Sequence, residues 1–167
     1  MSGNKNITLD DPSPLLTYVG KWDGDDHEGD PFIDRYSNST FHASSTLGDS
    51  MKFTFKGNGI WLFGAFRSNH EYYSTSIDGS PKIYNNGNRP VDVFTQVLYS
   101  NSTLGQGRHE VVLTNERGYN GTDPGEGYGW LDLDFVIYQT SSSPEGGQTK
   151  MGDMIFTTGT PRVQLHL

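Results

Sequence analysis

The sequence lacks cysteine and is poor in basic residues, and these two shortages exclude several classes of site. Without cysteine the chain has no disulfide, no Cys-ligated zinc site and no thiol nucleophile. Twelve Lys and Arg residues stand against 20 Asp and Glu residues, which gives a formal net charge of −8. Nucleic acids and anionic lipids are bound through positive fields, so this composition argues against both as partners.

Long apolar runs and helical periodicity are also scarce. No stretch approaches the roughly 18 apolar residues of a membrane span, and the first ten residues lack the apolar core of a signal peptide, so we expect no direct membrane insertion. Hydrophobic residues make up only 32% of the 167 residues, whereas 21 are Gly and 13% are aromatic. This balance is typical of one domain built from short strands and turns.

Alternating apolar and polar residues predict where these strands lie. In "MKFTFKG" (51–57), Met, Phe and Phe alternate with Lys and Thr, the pattern of a half-buried strand. The "GNG" that follows leads into "IWLFGAF" (60–66), so we expect a hairpin whose second strand is buried on both faces. Further strands are predicted in "SPLLTYVG", "TFHASST", "EYYSTSIDG", "KIYNN", "VFTQVLYS", "HEVVLTN" and "WLDLDFVIYQT". The chain is therefore expected to be an all-β, antiparallel sandwich or barrel of eight or nine strands.

The same alternation predicts the hydrophobic core. The inward-alternating or doubly buried strand positions are expected at Phe53, Phe55, Ile60, Leu62, Ile77, Val111, Leu113, Leu133, Phe135 and Ile137.

The order of these segments resembles a known family. "ITLDDPSPLLTY", "TFH", "FTFKGNGIWLFGA", "YSTSIDG", "GRHEVVLTN" and "LDLDFVIYQT" are similar to the extracellular jelly-roll domain of fungal cell-surface proteins in the galactose-binding-like superfamily. The similarity covers about residues 6–140. It implies a jelly-roll β-sandwich related to carbohydrate-binding modules and lectins, in a secreted or cell-surface protein.

The segment after this domain differs from it in composition. In the fungal proteins a Ser/Thr-rich stalk and a membrane span usually follow, whereas here "SSSPEGGQTK" reads as a flexible polar linker. We therefore predict a jelly-roll domain over 6–140 and a polar linker and tail over 141–167, with a weak strand candidate around Ile155. Four Asn-x-Ser/Thr sequons would accept glycans in a secretory pathway; they lie at Asn6, Asn38, Asn101 and Asn120.

One candidate site combines two polar loops. In an up-and-down antiparallel path, "RSNHEY" (67–72) and "NERGYNGTDPGEGYG" (115–129) would lie at the same end of the sandwich. Amides, carboxylates and Arg pair with sugar hydroxyls, and aromatic rings cover the apolar face of a pyranose. The predicted carbohydrate-binding residues are Arg67, Asn69, His70, Asn115, Glu116, Arg117, Tyr119, Tyr128 and Trp130. The alternative interpretation is a solvated surface loop pair, with Trp130 in the core or at its rim.

A second candidate site is the acidic segment "KWDGDDHEGDPFIDRY" (21–36). An EF-hand loop has Gly at its sixth position and Glu at its twelfth. Counted from Asp23, these positions are Glu28 and Asp34, so the segment does not fit an EF-hand. A looser structural Ca²⁺ site would use Asp23, Asp25, Asp26 and Asp30. The alternative is a solvated acidic loop, and Trp22 within it either plugs one end of the sandwich or stacks on a saccharide.

Three functional classes follow from these features. The first is a non-catalytic, lectin-like module that binds a glycan or cell-wall polysaccharide and requires no cofactor. The second is a structural or adhesive surface domain that binds protein, with homo-oligomerisation as a variant. The third is a glycoside hydrolase using two of Glu71, Glu116, Asp123 and Glu126, which is disfavoured because flexible Gly-rich loops give a catalytic acid little desolvation.

Overall fold

The strands predicted between residues 13 and 140 all form, and the computed structural model, which describes residues 3–24, 27 and 29–141, contains eleven strands. They are β1 (Asn4–Asp10), β2 (Leu16–Val19), β3 (His42–Ser44), β4 (Ser50–Gly57), β5 (Gly59–Phe66), β6 (Tyr72–Ile77), β7 (Ile83–Asn86), β8 (Val93–Asn101), β9 (Gly107–Asn115), β10 (Leu131–Leu133) and β11 (Phe135–Ser141). Two 3-10 turns, Ile33–Arg35 and Ser37–Ser39, lie between β2 and β3. Within the described part of the chain, no helix has the length and apolarity needed to span a membrane. Of the expected tail over 141–167, Ser141 is the last residue of β11, whereas residues 142–167, with the strand candidate around Ile155, lie outside the described residues.

The strands form two main antiparallel sheets. A four-stranded sheet has the order β1-β11-β5-β8, and a five-stranded sheet has the order β2-β4-β9-β6-β7. A small third ladder joins β10 to β3. The apolar side chains of both main sheets meet in one buried cluster that contains Phe53, Leu113, Ile60 and Val136. The architecture is the expected all-β sandwich, with more strands than the eight or nine predicted.

The predicted hairpin between residues 51 and 66 is wrong. Strand β4 pairs with β2 and β9 in the five-stranded sheet, whereas β5 pairs with β11 and β8 in the four-stranded sheet. The "GNG" segment therefore carries the chain across the sandwich. Glycine is required at this corner, because a Cβ on Gly57 would lie 2.1 Å from the carbonyl oxygen of Gln139.

The core prediction is correct at seven of its ten positions and wrong in the register of β11. Phe53, Phe55, Ile60, Leu62, Val111, Leu113 and Leu133 are buried. In β11 the buried residue is Val136, and its neighbours Phe135 and Ile137 point to the outer face of the sheet. Ile77 is only partly buried.

Strand β5 was expected to be buried on both faces, but it alternates. Trp61 and Phe63 are partly exposed, and the Phe63 ring stacks on Phe135 with ring centroids 4.4 Å apart. The long apolar runs therefore cover the outer face of the four-stranded sheet as well as the core.

The predicted strand over 130–140 is divided at Asp134, which is fully buried. Its Oδ1 accepts a hydrogen bond from the Ser37 backbone N–H at 2.9 Å, and its Oδ2 has no hydrogen-bond partner among the described residues. Burial, together with the charges of Asp10, Asp11 and Asp132, raises the pKa of Asp134 to about 7. Two of the eleven strands were not predicted. One results from the division of the 130–140 run into β10 and β11, and the other is β1.

Candidate functional site

An open pocket of about 390 Å³ lies between the segment before the 3-10 turns, β3, the β5–β6 loop and β10. We call it the Arg67 pocket. It is lined by His27, Gly29, Asp30, Pro31, Phe41, Ala43, Arg67, Asn69, His70, Trp130 and Asp132. The lining combines aromatic rings with amide, carboxylate, imidazole and guanidinium groups, a combination typical of small-ligand sites.

The Arg67 side chain is held by carboxylates. Its Nη1 donates to Asp30 Oδ2 at 2.7 Å, and its Nε donates to Asp92 Oδ2 at 3.4 Å. The guanidinium also lies over the rings of Phe32 and Phe94, 5.3 and 5.8 Å from their centroids. Burial disfavours its charge, but the hydrogen bond to Asp30 and the nearby charges raise the pKa of Arg67 above its usual value. Arg67 is therefore a fixed cation in the pocket wall.

A second charged residue in the pocket lining, Asp132, is a buried carboxylate that is 2% exposed. Its Oδ2 accepts a hydrogen bond from the Tyr36 hydroxyl and lies 2.9 Å from His70 Nε2 and 3.9 Å from Arg67 Nη1. Burial opposes its charge, but His70, Tyr36 and Arg67 together lower the pKa of Asp132 below its usual value. The pocket wall thus contains an ionised, nearly water-free carboxylate.

Aromatic rings supply the apolar surface of the pocket. Phe41 is buried, and His27 stacks on it with ring centroids 3.9 Å apart and an interplanar angle of 8°. Trp130 is partly buried against the cluster of Tyr36, Phe41, Ala43 and Ala65, and its indole N–H donates to the Gly127 carbonyl. The structure therefore places Trp130 at the rim of a small aromatic cluster and in the pocket lining.

The two loops predicted to converge do lie side by side. The Asn69 carbonyl accepts hydrogen bonds from the backbone N–H groups of Gly129 and Trp130, at 2.9 and 3.2 Å. The Glu71 carboxylate accepts one from the Gly118 N–H at 2.7 Å. The two loops are neighbours because β6 pairs directly with β9. This pairing places the start of β6, which follows the first loop, beside the end of β9, which precedes the second.

Two of the predicted ligand residues hold the loop together instead of facing the pocket. Asn115 is fully buried, and its amide donates to the carbonyls of Ser44 and Gly129. Glu116 is 8% exposed and accepts hydrogen bonds from Ser74 and Lys82. Their polar atoms are occupied by protein partners.

The other three loop residues lie outside the pocket lining. Arg117 binds Asp123 Oδ1 at 2.8 Å and the Tyr128 carbonyl at 2.9 Å, beside a separate depression of about 350 Å³. Tyr119 is 53% exposed and stacks on Tyr84 with ring centroids 4.1 Å apart. Tyr128 is 50% exposed, two residues from Trp130. The predicted single site is thus divided between a pocket and a more open loop surface.

The acidic segment contributes His27, Gly29, Asp30 and Pro31 to the pocket lining, and Asp30 is the predicted Ca²⁺ ligand among them. Asp23 forms a backbone bridge with Ala43, and its carbonyl accepts a hydrogen bond from His27. Asp25 and Asp26 lie outside the described residues. Among the residues that the structure does describe, no group of three acidic, His or Cys side chains has the geometry of a metal site. Ca²⁺ binding by this segment remains a prediction.

Several pocket residues were missed from the sequence. Tyr36, Phe41 and Asp132 line or support the pocket. Trp22, which was predicted either to plug one end of the sandwich or to stack on a saccharide, is partly buried against the core beside Tyr18, with ring centroids 5.1 Å apart. The sequence did contain an indication of Asp132: an acidic residue within the apolar run "WLDLDF" is expected to be buried and to need a buried partner. Tyr36 and Phe41 lie in irregular segments without periodicity, so the pattern gave no sign of their role.

No protein-family model matches the sequence, and no curated protein sequence matches it. Solved structures do resemble the fold. A two-domain esterase active on acetylated mannans, co-crystallized with mannopentaose, has a TM-score of 0.59 and 15% identity over 83% of this chain and 37% of its own. A family two carbohydrate esterase from Cellvibrio japonicus has a TM-score of 0.52 and 12% identity over 83% and 35%. This chain thus spans about a third of the length of those esterases.

The similar structures also include carbohydrate-binding modules. A family 35 carbohydrate binding module from Clostridium thermocellum has a TM-score of 0.48 and 13% identity over 79% of this chain and 98% of its own. At 12% and 15% identity, the likeness to the two esterases defines the class of the protein by its fold alone, as an all-β sandwich.

Proposed function

We propose that the chain is a non-catalytic carbohydrate-binding module and that the Arg67 pocket is its binding site. The observation that carries the proposal is the pocket itself: ring surfaces of Phe41 and Trp130 lie together with the polar groups of Asn69, Asp30 and His70. A pyranose presents an apolar C–H face and a rim of hydroxyls, and this pocket offers partners for both. Its volume of about 390 Å³ suits one or two sugar units.

The open loop surface formed by Arg117, Tyr119 and Tyr128 is proposed to extend this site for longer glycans. Tyr128 lies two residues from Trp130, and both tyrosine rings are at least half exposed. Asn115 and Glu116 would act indirectly, by fixing the loop that carries these residues. Exposed tyrosines are suitable platforms, because they present a large, rigid ring at low conformational entropy cost.

The location that fits this role is outside the cell or on its surface. The side chains of the sequon residues Asn6, Asn38 and Asn120 are exposed, so glycans at these positions are sterically acceptable. A glycan on Asn120 would stand on the proposed loop surface.

The test is binding of the full chain to a panel of mono- and oligosaccharides, followed by titration calorimetry. We expect dissociation constants from millimolar to micromolar, about −4 to −8 kcal/mol, because sugar hydroxyls exchange water hydrogen bonds for protein ones at small net gain. Trp130→Phe and Asn69→Ala should weaken binding of every ligand, with the unfolding temperature recorded for each variant. Tyr128→Ala should weaken only the binding of oligosaccharides and leave the unfolding temperature unchanged.

The panel also separates the competing functions. Absence of saturable binding to every glycan would overturn the proposal and leave a structural or protein-binding domain. Release of sugar from any ligand would identify a hydrolase. Bound sugar located by crystallography away from both Asn69 and Trp130 would place the site elsewhere.

A further inference from the structure

The charges in the wall of the Arg67 pocket are unbalanced. Two lining carboxylates, Asp30 and Asp132, face one lining guanidinium, Arg67, and a third carboxylate, Asp92, binds the same guanidinium from behind. Among the described lining residues, Arg67 is the only Lys or Arg. His70, whose Nε2 lies 2.9 Å from Asp132 Oδ2, offsets the charge of Asp132 when its imidazole is protonated. The three carboxylates still outnumber the guanidinium and this imidazole, so the wall carries an excess of negative charge in a partly desolvated setting, where charges interact more strongly than at an open surface.

The guanidinium in this wall is already engaged. The Arg67 guanidinium donates to both carboxylate oxygens of Asp30, at 2.7 and 3.4 Å, and to Asp92 at 3.4 Å. Its Nη1 also lies 3.4 Å from the Tyr36 hydroxyl. A ligand carboxylate would have to displace one of these partners to form a forked ion pair with Arg67. The pocket is consequently a poor site for an acidic sugar.

The Asp30 carboxylate, in contrast, has spare acceptor capacity at the pocket. Each oxygen of a carboxylate accepts more than one hydrogen bond, and the Asp30 side chain is 19% exposed where it lines the pocket. Protein donors to it in the described chain are Arg67 and the Phe32 backbone N–H. An ammonium group brings only donors and a positive charge, so it complements this surface.

We infer that the Arg67 pocket selects saccharides carrying a protonated amine, such as oligomers of glucosamine, over acidic sugars of the same length. The inference rests on the proposed function and names the ligand class of the same site. The formal net charge of −8 acts in the same direction at long range, by attracting cationic glycans to the molecule.

The experiment measures four ligands of equal length by calorimetry: oligomers of glucosamine, N-acetylglucosamine, glucose and glucuronate. We expect the glucosamine oligomer to bind about tenfold more tightly than the glucose oligomer, which corresponds to about 1.4 kcal/mol, and the glucuronate oligomer to bind most weakly. The preference should shrink as salt concentration rises, because screening weakens charge pairs that water reaches.

The Asp30→Asn variant distinguishes recognition of the amine by the pocket from long-range attraction by the net charge of the protein. This change removes a lining charge and the ion pair between Asp30 and the Arg67 Nη groups, so the preference for the amine should be lost and glucuronate binding should strengthen. Asp34→Asn is the matched control, because it makes the same charge change at an exposed residue that does not line the pocket. This variant should retain the preference.

Each outcome decides between the two proposals. If none of the four ligands binds, the proposed function fails and the inference fails with it. If the neutral or acidic oligomer binds as tightly as the amine, the module binds carbohydrate but the inference is refuted. Equal losses in Asp30→Asn and Asp34→Asn would also refute it, since the preference would then arise from net charge.

Discussion

Replacement of Asp134 by Asn should stabilise the protein, and only above acidic pH. The carboxyl is fully buried, one of its oxygens has no hydrogen-bond partner among the described residues, and its pKa is raised to about 7. Asn preserves the acceptor used by the Ser37 N–H and removes the charge. In addition, the amide offers a donor in a region where Asp10 and Asp11 are acceptors.

The sign follows from the proton counts of the two states. Unfolded Asp134 ionises near pH 3.9 and folded Asp134 near pH 7. Between these values the folded state keeps a proton that the unfolded state has lost, so this residue lowers the free energy of unfolding as pH rises. The loss is complete above about pH 7. The two pKa values differ by about three units, and each unit corresponds to about 1.4 kcal/mol, so Asp134 lowers the free energy of unfolding by about 4 kcal/mol.

Urea unfolding of wild type and Asp134→Asn at several pH values measures this effect. The variant should gain stability at pH 8, approaching about 4 kcal/mol, and should match the wild type near pH 4. Asp34→Asn, a change at an exposed carboxylate, should show no such dependence. A difference between Asp134→Asn and wild type that is the same at pH 4 and pH 8, or a loss of stability at pH 8, would refute the reasoning.

Two further predictions concern the core and the acidic segment. Leu113→Ala should cost about 2–5 kcal/mol in denaturant unfolding because Leu113 is fully buried, whereas Ile137→Ala, on the outer face of β11, should cost clearly less; equal costs would contradict the register of β11. If the segment from Asp23 to Asp30 binds Ca²⁺, the ion should raise the unfolding temperature, because at a concentration 100 times its dissociation constant it adds about 2.7 kcal/mol to the free energy of unfolding. Identical melting curves in calcium and in chelator would indicate a solvated acidic loop instead.

Strand positions could be predicted from the sequence because the alternation of period two is a local signal. Pairing is not local. The Asn-Gly signal after β4 was interpreted as a hairpin, but a turn sequence does not reveal whether the next strand returns to the same sheet or crosses to the other. In this chain the corner packs against Gln139 in β11, a contact between residues about 80 positions apart that no local turn signal contains.

The same distinction explains the candidate site. Arg67, Asn69, His70 and Trp130 were predicted because polar loops and an aromatic residue flank predicted strands, and the structure places all four in one pocket. Asn115 belongs to the same type of loop, but its burial depends on the carbonyls of Ser44 and Gly129. Composition marks a residue as able to bind a ligand and does not reveal whether the protein has already used its polar atoms.

The pairing of β1 with β11 determines how the domain responds to tension. Asn4 lies opposite Ser141, and seven antiparallel pairs run from there to Asp10 and Phe135. A force that pulls these two ends apart loads the pair at Asn4 first and each following pair in turn, so the strands separate like a zipper and never share the load. A domain tethered through both ends would therefore open at low force along this edge, while the five-stranded sheet behind it remains unloaded.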